Sequence, residues 1–146
     1  MTNELEQRLH AVRERIARAC ARAGRRPEEV QLLAVTKGVG PELVTSAAAL
    51  GLTVFGESRV QEARQKIPLC PGHLHWQFIG HLQSNKVREA VRLFEAVHSV
   101  DSLALLQQVD RVCGEQGRRL RVYLEVNVSG ERSKFGLAPE AVAEVL

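Results

Sequence analysis

Lys37 closes the stretch Leu32-Leu33-Ala34-Val35-Thr36-Lys37-Gly38, a run that suits a buried strand and then meets an amine and a glycine. If the strand alternates, Leu33, Val35 and Lys37 share a face and the ammonium points inwards. In such a setting desolvation disfavours the charged form and leaves more free amine near neutrality. A free amine attacks an aldehyde to form a Schiff base. The plain alternative is a lysine that snorkels to the rim and serves only solubility. Position alone leaves both readings open.

Other chemistry is poorly provided for. His73 and His75 could share a strand face, with His81 and His98 not far away in space. They lack the Cys, Glu or third His in register that zinc sites use, so surface or hydrogen-bonded histidines are expected and no metal. No GxSxG elbow, GxxxxGK[ST] loop or GxGxxG occurs. The segment SGERSKFG (129–136) bears glycines but matches neither phosphate-loop spacing.

The elements that must position Lys37 read as alternating strands and helices. Apolar residues at Leu5, Leu9, Val12, Ile16, Cys20 and Ala23 mark one face of a helix over 4–23, stopped by Gly24 and Pro27. Strands are expected at 30–37, 52–57, 74–80, 95–101 and 120–128. Helices are expected at 41–51, 59–67, 84–94 and 103–113, the last capped by Asp101 or Ser102, and a fifth begins in APEAVAEVL at the end of the chain. Such alternation predicts a parallel α/β sheet, either open and doubly wound or part of a (β/α)₈ barrel. Strand five leans towards the barrel. Val122, Leu124 and Val126 alternate with Tyr123, Glu125 and Asn127, whereas an interior strand of an open sheet is apolar throughout. In either architecture ligands bind at the carboxyl ends of the strands. Lys37, Glu57, Ser58, Arg59, Gly80, His81, Gln83, Asn85, Lys86, Ser99, Asp101, Asn127, Ser129, Glu131 and Lys134 all fall there.

With 146 residues, 45% hydrophobic and 25% charged, the chain is expected to fold as a single domain over 1–146. No apolar run approaches the roughly 20 residues of a membrane span, and the first ten residues carry no apolar signal core. Three dispersed cysteines, Cys20, Cys70 and Cys113, favour a reducing cytoplasm over a disulfide framework. Net charge is only +3, its excess gathered at Arg8, Arg13, Arg15, Arg18, Arg22, Arg25 and Arg26. Glu4, Glu6 and Glu14 dilute that cluster and no aromatics interleave it, so a solvated helix face is expected in preference to a nucleic-acid surface.

The segment WQFIGHLQSNKVREAV (76–91) closely resembles the signature of the YggS/PROSC family, the pyridoxal phosphate homeostasis proteins. LLAVTK, FGESRVQEARQKI and EVNVSGERSKFG follow in the family's order and spacing, so the match spans about residues 5–146. The resemblance implies a (β/α)₈ barrel of the alanine-racemase type, with only about five βα units in this chain. It implies pyridoxal 5′-phosphate held as a Schiff base on Lys37, with Ser58, Phe78, Gly80, Asn127 and Lys134 as neighbours. It further implies a non-catalytic role in vitamin B6 balance, with cofactor-dependent enzymes as clients and no catalytic residues.

Three departures stand out. Gly38-Val39-Gly40-Pro41 replaces bulkier residues after the lysine and is expected to loosen that loop. Ser58 stands where the family usually has asparagine. The chain also stops in the fifth helix, before the family's phosphate cradle, so weak cofactor binding and self-association through unclosed sheet edges are expected. Two other functions remain on the table. One is a racemase-like enzyme, for which Tyr123 is badly placed and Glu125 is the inward-facing acid. The other is an interaction module working through the arginine helix.

Overall fold

The computed structural model describes residues 2–146. The first helix, α1 (Thr2–Arg22), is followed by β1 (Ala34–Val35), α2 (Pro41–Ala49), β2 (Val54–Glu57), α3 (Val60–Lys66), β3 (His75–Phe78), α4 (Val87–Leu93), β4 (Ala96–Val100), α5 (Leu103–Gln116), β5 (Arg121–Leu124) and α6 (Val142–Val145). The local signals for these elements are plain. Pro41 opens α2, where its missing N–H costs nothing. Ser102 caps α5 by accepting a hydrogen bond from the Leu105 amide at 3.1 Å. Asp101, the other candidate cap, faces His81 instead.

All five strands are parallel and lie in the order β1-β2-β3-β4-β5. This decides between the two architectures open to the sequence. A doubly wound sheet reverses its strand order at a switch point, whereas here every strand lies beside its neighbour in sequence, as in a barrel wall. One helix layer covers one face. Val44 and Ala47 of α2, Val60 and Ala63 of α3, Val87, Ala90 and Val91 of α4, and Leu105, Val109 and Val112 of α5 form one core with Phe55, Trp76, Phe78 and Val97. Phe55 and Trp76 pack with ring centroids 5.5 Å apart, and Phe78 and Phe94 at 5.2 Å.

The register places Val35, Gly56 and Gln77 side by side on the opposite, inner face of the sheet. Val35 is 52% exposed on β1 and Tyr123 is 44% exposed on β5, while Gln77 between them is buried. The inner face is therefore covered in the middle and open at its flanks. α1 is likewise covered on part of its apolar stripe. Leu9 and Cys20 are buried but Val12 is exposed.

The ordered strands are shorter than the sequence pattern suggests. β1 keeps two residues of the expected 30–37, because it pairs with β2 alone and its ladder ends with the Thr36 amide donating to the Gly56 carbonyl at 3.0 Å. β5 ends at Leu124, and beyond it Val126 meets only Leu137 in an isolated bridge. The final segment forms a helical turn at Pro139–Ala141 that runs into α6.

Candidate functional site

Lys37 sits in the turn between β1 and α2, at the carboxyl end of the sheet. Its side chain is exposed and makes no ion pair or hydrogen bond among the described residues. The desolvated setting expected of it is not observed, because the inner face at β1 has no cover. What is buried is the backbone on either side.

The Thr36 hydroxyl donates to Glu57 Oε1 at 2.6 Å, and the Thr36 carbonyl accepts from Lys66 Nζ at 2.7 Å. The Gly38 amide donates to Glu62 Oε1 at 2.8 Å. Lys66 Nζ also donates to Glu57 Oε1 at 2.6 Å and to Glu62 Oε1 at 3.0 Å. An ammonium has three protons, and each of the three here has an acceptor. The Val39 amide donates to the Thr36 carbonyl at 3.0 Å and closes the turn. Gly38 adopts φ +71°, a left-handed conformation that a side chain would strain. The glycines expected to loosen this loop belong instead to a turn tied down at three points.

Charge in this cluster is sealed under the helices. Glu57 is fully buried and Lys66 is 6% exposed. Burial alone would push the Lys66 ammonium down, but the hydrogen bonds and charges of Glu57 and Glu62 outweigh it and its pKa is raised. The hydrogen bonds from Lys66 and the Gly38 amide hold the Glu62 carboxyl below its ordinary value. Glu57 Oε2 has no hydrogen-bond partner among the described residues. Sequence reading left Lys66 out and treated Glu57 as a rim residue. The signal was present all the same. Lys66 stands on the α3 face that carries Val60 and Ala63, and Glu57 shares the parity of Phe55 on β2.

The other expected site residues are distributed unevenly. Ser58 is half-buried directly after β2. Gly80, after β3, packs so closely that a Cβ there would run into the Ser58 carbonyl oxygen, so only glycine fits. Phe78 has its ring at 1% exposure in the helix-side core against Phe94, because its parity on β3 is that of Trp76, and it reaches a hollow that Ser58 also lines. The Asn127 side chain is occupied within its own loop. Its Oδ1 accepts from Ser129 Oγ at 3.2 Å and the Gly130 amide at 3.0 Å, and its Nδ2 donates to the Glu131 carbonyl at 2.9 Å. Lys134 is exposed farther along that loop, and Phe135 beyond it stacks on His81 with centroids 3.8 Å apart. The loop after β5 thus reaches back over the end of β3.

Beside Ser58, a hollow of about 280 Å³ is lined by Arg59, Gln61, His81, Gln83 and Lys86. On the inner face, His98 Nε2 lies 2.6 Å from Gln77 Oε1 and its ring stacks on Tyr123 at 4.5 Å. Burial lowers the His98 pKa, so this cluster is neutral near pH 7. His75 pairs with Glu95 at 2.8 Å. No group of three or more His, Cys, Asp or Glu able to hold a metal ion occurs among the described residues. On the arginine helix, Arg8 pairs with Glu4, while Arg25 and Arg26 beyond it pair with Glu29; Arg15, Arg18 and Arg22 line an open hollow on the surface. No described helix is long and apolar enough to cross a membrane.

Comparison with known proteins bears on the fold and the family. A pyridoxal phosphate homeostasis protein of Pseudomonas aeruginosa is 43% identical over 146 residues, covering 97% of this chain and 64% of that protein. One of Aquifex aeolicus is 39% identical over 140 residues, covering 95% and 61%. The chain thus spans less than two thirds of these curated relatives. PipY of Synechococcus elongatus PCC7942, solved with PLP bound, superposes with a TM-score of 0.75 at 39% identity, over 89% of this chain and 61% of that one. The resemblance read from WQFIGHLQSNKVREAV is thereby matched over nearly the whole chain, and the five parallel strands are those of a partial barrel of this type. The family model for the alanine racemase N-terminal domain matches residues 7–146, and the chain belongs to that family.

Proposed function

We propose that this chain binds pyridoxal phosphate at the strand-end rim through Lys37 and serves pyridoxal phosphate homeostasis as a carrier without turnover of its own. The observation that supports this most directly is an exposed, unpaired amine on a turn whose backbone is pinned on both sides. The names of the relatives and the PLP bound to PipY point the same way. The residues present fit the aldehyde end of the group. No carboxylate neutralises Lys37 among the described residues, and the flank of the inner face beside it is open.

When bound, the cofactor would supply an aldehyde that can condense with a lysine amine, and Lys37 is the residue that would hold it. The chain's own residues provide the setting. Ser58 and the Gly80 backbone form the floor at the ends of β2 and β3. Asn127 shapes the loop that carries Lys134, and Lys134 offers a cation to the phosphate end. Phe78 packs behind the sheet and backs the hollow beside Ser58. Client enzymes that receive the cofactor, a cytoplasmic setting and self-association along the β1 and β5 edges complete the reading.

A racemase-like activity would need a second acid or base facing the amine. Tyr123 stacks on His98 within the sheet, and Glu125 is half-buried with no side-chain hydrogen bond among the described residues. The carrier reading needs neither.

The test is an absorption titration of the purified chain with pyridoxal phosphate, then borohydride reduction and peptide mass mapping. The expected result is one adduct, on Lys37, lost in Lys37→Ala. Labelling spread evenly over Lys86 and Lys134, or none at all, would overturn the proposal.

A further inference from the structure

Lys37 has a second lysine close behind its backbone, and the two are treated in opposite ways. Lys66 is buried, with every proton committed to an acceptor, while Lys37 is exposed and uncommitted. Replacing a buried ion pair by apolar residues of similar volume commonly leaves stability unchanged or better. The pair here is therefore not required by folding energy alone, and its geometry suggests what it does. Its hydrogen bonds end on Thr36 and, through Glu62, on Gly38, the residues immediately before and after Lys37.

We propose that the buried Glu57–Lys66 pair, extended by Glu62, is a positioning device that fixes the turn 36–38 and so aims the Lys37 amine at the rim. The inference rests on the reading that Lys37 holds the cofactor. A second consequence is selectivity between amines. Lys66 stays an ammonium with no free electron pair, so an aldehyde arriving at this strand end meets one competent nucleophile. None of these three residues touches the ligand; they act through the backbone of the turn.

The experiment compares the chain with the double variant Glu57→Leu/Lys66→Met, which removes both buried charges together and is expected to remain folded. Two readouts are taken. The Gly38 amide is followed by NMR hydrogen exchange without any cofactor, and borohydride-trapped labelling by pyridoxal phosphate is mapped by mass. In the double variant Glu62 loses the charge-assisted hydrogen bond from Lys66 that anchors it as the acceptor of the Gly38 amide, which should speed Gly38 exchange by about tenfold or more. Labelling at Lys37 should slow by a similar factor and spread to Lys86 and Lys134. A folded double variant with unchanged Gly38 exchange and unchanged Lys37 labelling would overturn the proposal.

If the double variant does not fold, Glu62→Gln keeps the buried Glu57–Lys66 pair and weakens the two hydrogen bonds that Glu62 Oε1 accepts, from the Gly38 amide and from Lys66. Faster exchange at Gly38 with slower Lys37 labelling then supports positioning, and no change in either refutes it. Should the unmodified chain fail to label at Lys37, the cofactor reading falls. The Gly38 exchange still decides whether the pair sets the turn.

Discussion

Two polar clusters lie on opposite faces of the same sheet, and they are built on different terms. Beneath the helices, Glu57 and Lys66 carry full charges, and with the neutral Thr36 every hydrogen-bonding position but Glu57 Oε2 is satisfied by protein. On the inner face, Gln77, His98 and Tyr123 are joined by one hydrogen bond and one ring stack, and they lower their cost by staying neutral. Strand parity alone separates them, since Glu57 and Gln77 point to opposite sides of adjacent strands. Charge is tolerated where geometry can be fixed completely, and neutrality prevails where one side is open. Lys37 stands at the boundary, with its backbone held by the first cluster and its side chain on the side of the second.

The sharpest way to break this contrast is Lys66→Met alone. It leaves the Glu57 carboxylate buried without its cation and should cost about 3–5 kcal/mol, read by urea denaturation. A loss below about 1 kcal/mol would mean that the cluster is not sealed as described. On the inner face, Gln77→Leu removes the acceptor of His98 and should cost only about 0.5–1.5 kcal/mol in the same measurement. A larger loss would promote that cluster to the rank of the first.

Acid should also tell the two apart. Burial lowers the His98 pKa below its ordinary 6.5, so the unfolded chain binds that proton more readily than the folded one. Its contribution is therefore intact above pH 6.5 and is lost as pH falls from there towards the lowered folded value. Thermal melts across that window should show this pH-dependent loss in the unmodified chain and not in His98→Gln, which has no imidazole to protonate. The smallest effect belongs to Lys37→Ala. An exposed side chain without partners should change stability by no more than about 0.5 kcal/mol, even as cofactor labelling disappears. A destabilised Lys37→Ala would show that the lysine has a structural role after all.

Much of this arrangement was legible in the chain. Periodicity switching between two and about four gave the βα alternation, and Lys37 at a strand end marked the rim. The face taken by Phe78 was not legible because a motif match carries no parity, and parity on β3 sends Phe78 to the helices and Gln77 to the inner face. The Glu57–Lys66 pair was missed for a related reason. Two charges nine residues apart look like rim decoration until the strand and helix carrying them are folded face to face. The firm turn at Gly38 was also hidden, since glycine signals freedom in a sequence and here serves a left-handed conformation fixed by distant acceptors.

The sequential strand order has a consequence for how the chain assembles. Every pairing joins segments about twenty residues apart, so no step must wait for a distant partner, and the entropy lost in closing each loop is nearly the same. Such a topology keeps contact order low for a parallel sheet and lets each strand–helix unit dock on the one made before it. The chain can thus acquire its fold in the order in which it is synthesised, with the turn bearing Lys37 set as soon as β2 and α3 arrive.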